Sequence, residues 1–334
     1  MIIVTGGAGF IGSAIIWKLN TMGEKNIIAV DNLAHSDKWM NLRGLSFQDY
    51  IEKDSFIELI DSGAFKNDKI ECIIHMGACS STTETDCRYL INNNYEYTKN
   101  LAWYCVNNDI RFIYASSAAT YGGGENGFCD DEGAIDKLKP LNMYGYSKQL
   151  FDLYARSNNM LDKITGLKFF NVFGPNEYHK KDMRSLVNKA YYQIKKNGSI
   201  DLFKSYRPDY KDGEQLRDFI YVKQAVERVV YFIENRDKNG IFNIGSGAAN
   251  SWNQLALAIF SALKLKPDIK YIDMPVEIRD KYQYYTKADM SKFDGISGGG
   301  TAAAALKTYS LEEAVKDYTL NYLEHNEKRL CVKD

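Results

Sequence analysis

The chain lacks the features that mark several large functional classes. Its 334 residues include only four histidines, widely separated, and six cysteines (Cys72, Cys79, Cys87, Cys105, Cys129, Cys331) without a CxxC pair. No zinc-type ligand cluster can be written from them, so no metal site is expected, and free thiols in a reducing compartment are the simpler reading. No charge of either sign dominates: 42 Lys and Arg face 43 Asp and Glu. That balance excludes an overall field for nucleic acid or an anionic membrane, so any bound phosphate must be held by a local site. No basic, apolar leader precedes the first strand-like run at Ile2, and no apolar stretch approaches the length of a bilayer span. The expectation is a cytoplasmic protein. Internal repeats are absent too, and the one low-complexity stretch, Ser297 to Ala305, reads as a loop running into the last helix.

What is present is an ordinary globular composition, 45% apolar and 25% charged, enough for one large domain or two modest ones. Short apolar runs at 2–5, 26–30, 71–75, 111–115 and 163–170 alternate with helical patterns at 11–22 and 94–107. This alternation predicts an α/β fold, a doubly wound parallel sheet with helices on both faces. After Gly174 and Pro175 the rhythm breaks into a Tyr-, Lys- and Asp-rich stretch, then resumes as strand-like runs at 218–222 and 242–245.

The first strand runs into Thr5-Gly6-Gly7-Ala8-Gly9-Phe10-Ile11-Gly12, and the next strand ends at Asp31. Glycines at 6, 9 and 12 between a strand and a helix suit a dinucleotide: one for the tight turn, one for close approach of the pyrophosphate, one for helix–strand packing. Asp31 suits a free adenosine ribose and favours NAD, whereas Lys38 and Lys53 could neutralise a 2′-phosphate and favour NADP. The residues leave both open. The division expected is a dinucleotide-binding Rossmann domain over 1–175, to which the chain returns around 216–247. A smaller α/β substrate domain is expected over 176–334, mainly 176–215 and 248–334.

Tyr144-Gly145-Tyr146-Ser147-Lys148 puts a phenol and an ammonium one helical turn apart. The ammonium is expected to lower the phenol's pKa, so that Tyr144 takes a hydroxyl proton as hydride leaves for a nicotinamide. The same spacing also occurs on ordinary exposed helix faces. Ser117, within Tyr114 to Gly122 at the end of a predicted strand, can hydrogen-bond a substrate oxygen and Tyr144 together.

With these motifs the chain resembles, over nearly its whole length, the extended short-chain dehydrogenase/reductase family, whose Ser/Thr, Tyr and Lys triad falls on Ser117, Tyr144 and Lys148. Sugar-nucleotide dehydratases of that family carry Asp-Glu directly after the Ser/Thr. Here Ala118 and Ala119 stand there, and methyl groups move no protons, which leaves reversible oxidation and reduction at one carbon. Asp31 to Leu33, the run His75 to Glu84 (HMGACSSTTE), Ser116 to Gly123, Leu141 to Lys148 and Phe170 to Pro175 are similar to the ADP-heptose 6-epimerases in particular. The resemblance implies C6″ epimerisation of ADP-D-glycero-D-manno-heptose to the L-glycero form, supplying heptose for the lipopolysaccharide inner core. It implies bound NADP, with NAD the alternative, and a homo-oligomer, typically a pentamer.

The resemblance also implies site residues. Tyr144 and Lys180 are the two bases, one for each epimer. Gly6, Gly9, Phe10, Ile11, Gly12, Asp31, Asn32, Lys38, Lys53, Met76, Gly77, Ala78, Cys79, Ser80, Asn93, Lys148, Val172 and Lys180 fall at cofactor contacts. Ser117, Asn171, Asp182, Lys189, Phe203, Lys204, Ser205, Tyr206, Arg217 and Tyr282 fall at substrate contacts. Read without the family, Lys180 beside Lys181 is a solvated basic loop. Arg217 is either a bidentate clamp for the diphosphate or an ion-pair partner of Asp218 or another surface carboxylate. Asp182 and Lys189 replace the family's usual Ser and His, and residues 208–215 lengthen the loop before Arg217. Other readings are a nucleotide-sugar 4-epimerase or a keto-sugar reductase, which explain the triad equally well, and a non-catalytic dinucleotide sensor, against which an intact Ser117, Tyr144 and Lys148 argue.

Overall fold

The computed structural model describes residues 1–279, 282–297 and 306–332. Most of the low-complexity stretch, 298–305, lies outside the described residues. Seven parallel strands form the main sheet in the order β11-β6-β5-β4-β1-β2-β3. They are β1 (Ile2–Thr5), β2 (Ile27–Asp31), β3 (Asp49–Glu52), β4 (Cys72–His75), β5 (Arg111–Ser117), β6 (Ile164–Phe169) and β11 (Gly240–Ile244). The doubly wound α/β architecture expected from the alternating runs is what the chain adopts.

Strand residues pack alternately on the two faces, which is why the runs read as continuously apolar. Val4, Ala29, Ile74, Ile113 and Leu167 face one core, shared with α1 (Phe10–Thr21) and α7 (Val222–Glu234). Ile3, Ile28, Ile73, Phe112 and Ile164 face the other, against α2 (Lys53–Asp61), α4 (Tyr97–Asn107) and α5 (Met143–Ser157). Each of the Val, Ile, Leu and Phe side chains among them contributes about 1.5–3 kcal/mol relative to exposure.

The helix expected from residue 94 begins earlier. Asp86 caps α3 (Cys87–Leu90) through Tyr89 N–H at 3.0 Å, and a π-helical stretch, Ile91–Glu96, joins α3 to α4. Beyond β6 come β7 (Asn171–Phe173), a 3₁₀ turn over Tyr178–Met183, α6 (Leu186–Asn197) and β8 (Ile200–Phe203). Next come β9 (Leu216–Arg217) and β10 (Phe219–Tyr221), which pairs with β7. Farther on, β12 (Asn250–Ser251) pairs with β9, and β13 (Ile269–Ile272), reached through α8 (Trp252–Leu263), pairs with β8. No described helix is long and apolar enough to cross a membrane.

The strand order reverses between β1 and β4, since β1 has β2 on one side and β4 on the other. Open α/β sheets bind ligands beyond the carboxyl ends of strands at such a switch point. The glycine loop after β1 and the Met76 to Ser81 segment after β4 both lie there.

Candidate active site

A cavity of about 960 Å³ opens at this switch point and runs from the glycine loop to α6, β8 and β13. Gly6, Gly9, Phe10, Ile11 and Gly12 line one end, with Asp31, Lys38 and Met76 to Ser81. A Cβ on Gly12 would overlap the Gly6 carbonyl oxygen, so only glycine lets α1 start this close to the loop. The α1 N-terminus has no side-chain cap, leaving its amides for an anion. The cradle therefore fits a dinucleotide pyrophosphate.

The Asp31 carboxylate is already well satisfied. Its oxygens accept from Ala8 N–H at 2.9 Å, Asn32 N–H at 2.7 Å and the Lys38 ammonium at 2.6 Å. Asn32 takes part through its backbone and is not on the cavity wall. Lys53, expected near the adenosine, instead pairs with Asp54 at 2.5 Å and lies over the Tyr97 ring. Asn93 also stays off the wall, and its neighbour Asn94 has the structural part: Asn94 exchanges hydrogen bonds with Cys79 N–H and C=O, and donates to Ser147 Oγ. The π-helical stretch at 91–96 adds a residue per turn and changes which of four consecutive residues points inward.

At the centre stand Ser117, Tyr144 and Lys148. Asn142 caps α5 by accepting Gly145 N–H at 2.8 Å, which puts Tyr144 in the helix's first turn. A Cβ on Gly145 would lie 2.7 Å from the Ala119 carbonyl, so glycine here lets α5 approach the Ser117–Thr120 turn. Burial raises the Tyr144 pKa, while its hydrogen bond with Ser117 works the other way. The expected lowering by Lys148 is not seen. The Lys148 ammonium donates to the Ala115 carbonyl at 2.8 Å, and its own pKa is pushed down to about 8, mainly by burial, with Asp152 and Cys79 opposing.

Lys180, on the 3₁₀ turn after β7, also lines the cavity, 5.5 Å from the centre of the Phe10 ring. Burial lowers its pKa and Glu177 pushes back, so it is no solvated loop lysine. Its turn is pinned by Glu177, a buried carboxylate that accepts from Ser185 N–H at 2.5 Å and Ser185 Oγ–H at 2.6 Å.

Of the expected substrate residues, Ser117, Asn171, Lys189, Phe203 and Tyr282 line the cavity, as does Val172 from the cofactor set. Asp182, Lys204, Ser205, Tyr206 and Arg217 do not. Asp182 is exposed, and among the described residues only its carbonyl is used, by Lys189 at 3.3 Å. Lys204 pairs with Asp273 at 3.1 Å, Ser205 N–H donates to Asp212, and the Tyr206 ring lies 3.8 Å under Arg279. Arg217 is buried between the rings of Trp252 and Tyr282 and donates to the carbonyls of Leu216 and Gln283. Its alternative, an ion pair with Asp218, does not form. Asp218 instead accepts from the backbone N–H groups of Ser246, Gly247 and Ala288.

Reading the sequence missed Arg184, Gln193, Asp201, Trp252 and Ile272 on the wall. The spacing of Lys189 and Gln193, four apart on α6, was the available signal for a polar helix face at a site.

Fold and site together define a nicotinamide-dependent enzyme class, and the chain belongs to the NAD dependent epimerase/dehydratase family, which it matches over residues 2–245. It is 51% identical over 323 residues to a Nitratidesulfovibrio vulgaris (strain DP4) protein named ADP-L-glycero-D-manno-heptose-6-epimerase, covering 97% of this chain and 98% of that one. A Fusobacterium nucleatum protein of the same name is 49% identical over 339 residues, covering 99% and 100%. Among solved structures, the Helicobacter pylori protein of that name superposes with a TM-score of 0.76 at 25% identity, covering 96% of this chain and 95% of that one. Thermotoga maritima UDP-glucose 4-epimerase gives 0.77 at 25%, covering 98% and 99%.

Proposed function

We propose that this protein is a cytoplasmic ADP-heptose 6-epimerase that interconverts the D-glycero and L-glycero forms at C6″. The observation that carries the reading is the meeting of Tyr144 and Lys180 in one cavity from two different walls, α5 and the turn after β7. Two epimers present their C6″ hydroxyl protons in different directions, and one fixed base would reach one of them poorly. The names of relatives near 50% identity support the sugar.

In this reading Tyr144 exchanges the hydroxyl proton of one epimer, with Ser117 holding the same oxygen, and Lys180 exchanges that of the other. Burial suits Lys180 to the task because its neutral, proton-accepting form becomes accessible. A nicotinamide, when bound, would supply the acceptor and donor of hydride. Gly6, Gly9 and Gly12 would hold its pyrophosphate, and Lys148 would contact its ribose. Lys38, bonded to Asp31, supports NADP: its ammonium at the glycine-loop end of the cavity would pair with a 2′-phosphate, and the aspartate's charge is already compensated. Ala118 and Ala119 supply no acid or base for eliminating water, which favours epimerisation over the family's dehydrations. A glycine-loop lobe and a smaller lobe, mainly 176–215 and 248–334, divide cofactor and sugar nucleotide between them.

Proton NMR of ADP-D-glycero-D-manno-heptose incubated with purified protein and no added cofactor tests the reading. Appearance of the L-glycero epimer is expected. No conversion by protein that retains its nicotinamide would move the assignment to another nucleotide sugar.

A further inference from the structure

A charge pair that the reaction above does not use lies beneath the helix that carries Tyr144 and Lys148. Asp152 follows Lys148 by four residues and Tyr144 by eight, so all three share one face of α5. The Asp152 carboxylate meets the Lys168 ammonium of β6 at 2.7 Å, with the two side chains 0% and 1% exposed. Tyr114 O–H donates to the same carboxylate at 2.9 Å and Ser116 O–H at 2.7 Å. Lys168 also donates to Thr120 Oγ1 at 2.7 Å and lies over the Tyr121 ring.

These contacts bracket Lys148. Its ammonium donates to the Ala115 carbonyl, and the residues on either side of Ala115 are the two hydroxyl donors to Asp152. Asp152 thus fixes both the helix that bears Lys148 and the strand that receives it. Such a pair is a poor source of stability, because desolvation offsets most of the attraction and apolar side chains of similar volume do as well. Its placement one turn below an active-site cation gives it a different use.

We propose that Asp152 and Lys168 are positioning residues that seat Lys148 against β5 and set the field in which it holds its proton. The inference rests on the reading of Lys148 as a cation that contacts the cofactor. The other groups facing Lys148 are Tyr144, one turn away on the same face of α5, Cys79, on the loop after β4, and His75, at the end of β4. His75 is held neutral by burial, so Asp152 is the anionic partner of Lys148 on its own helix. Burial pulls Lys148 down to about 8, and Asp152 is the first influence opposing that. Lys168 bonds that same carboxylate at 2.7 Å.

The test is NADPH affinity followed by fluorescence titration between about pH 7 and 10, which reads Lys148 without reference to any sugar. Wild type should lose affinity with a midpoint near the Lys148 value of about 8. Asp152→Asn should move that midpoint down and Lys168→Met should move it up, each by about half a pH unit or more. Midpoints that stay in place, or move together, would leave the pair a merely structural role and overturn the proposal. Should the single variants fail to fold, the neutral pair Asp152→Asn with Lys168→Met carries the test. Its midpoint should fall, because Asp152 acts on Lys148 directly from one turn along the same helix, and an unmoved midpoint overturns the proposal. Failure of the wild type to convert an ADP-heptose would remove the functional reading and leave this measurement intact.

Discussion

Lys38 and Asp31 meet at 2.6 Å at the cofactor end of the cavity, and the pair combines the two sequence signals that pointed to different dinucleotides. A carboxylate bonded to two backbone amides and an ammonium has little left to offer a ribose hydroxyl. Lys38→Ala should therefore lower affinity for NADPH by about tenfold or more, the scale of one charge-assisted hydrogen bond, while NADH changes little. Parallel fluorescence titrations with the two cofactors check this. Equal losses for both would mean that Lys38 does not sense the 2′-position.

Tyr144→Phe and Lys180→Met each remove one of the two proposed proton-transfer groups. Both should slow epimerisation by about 10²- to 10⁴-fold while the nicotinamide remains bound, as read by NMR turnover and the absorbance of released cofactor. Full turnover by either variant would contradict the two-base assignment.

Gly12→Ala places a methyl group on the Gly6 carbonyl oxygen. Backbone cannot yield there as a flexible side chain could, so the loop must open. Purified Gly12→Ala protein should carry far less nicotinamide per chain than wild type and should unfold at lower temperature, by an overpacking cost of about 1–3 kcal/mol.

His75 lies buried between β1 and α4, bonded to Thr5 Oγ1 at 2.6 Å and Thr98 Oγ1 at 2.9 Å. Burial, with Lys148 adding to it, pushes its pKa down to about 3. A depressed histidine favours the neutral form in the folded state, so its contribution is complete above the unfolded value of about 6.5 and is lost as pH falls from there toward about 3. Denaturant unfolding from pH 8 to 4 should show stability falling with a slope of up to about 1.4 kcal/mol per pH unit from this group. The slope should be smaller in His75→Gln. An unchanged slope would mean that His75 is not the group responsible.

The sheet was legible in the sequence because strands buried on both faces read as near-continuous apolar runs, as in 2–5 and 111–115, and glycines 6, 9 and 12 mark where the first helix must touch its loop. Tyr144 and Lys148 were legible through helical spacing, and Lys180 only through family resemblance. Asn94 was hidden because an extra residue per turn at 91–96 changes the inward-facing position, which a regular helical period cannot anticipate. The environment of Arg217 was hidden for a different reason: its partners are backbone carbonyls and two aromatic rings from distant segments, which leave no local pattern.

In the proposed reaction C6″ is inverted by hydride leaving and returning within one active site. Epimerisation of ADP-heptose deuterated at C6″, run in ordinary water and read by mass spectrometry and NMR, tests this most directly. Product that keeps its deuterium at C6″ is the predicted result. Loss of the label to solvent would mean that the carbon gives up a proton rather than a hydride, and would contradict the account.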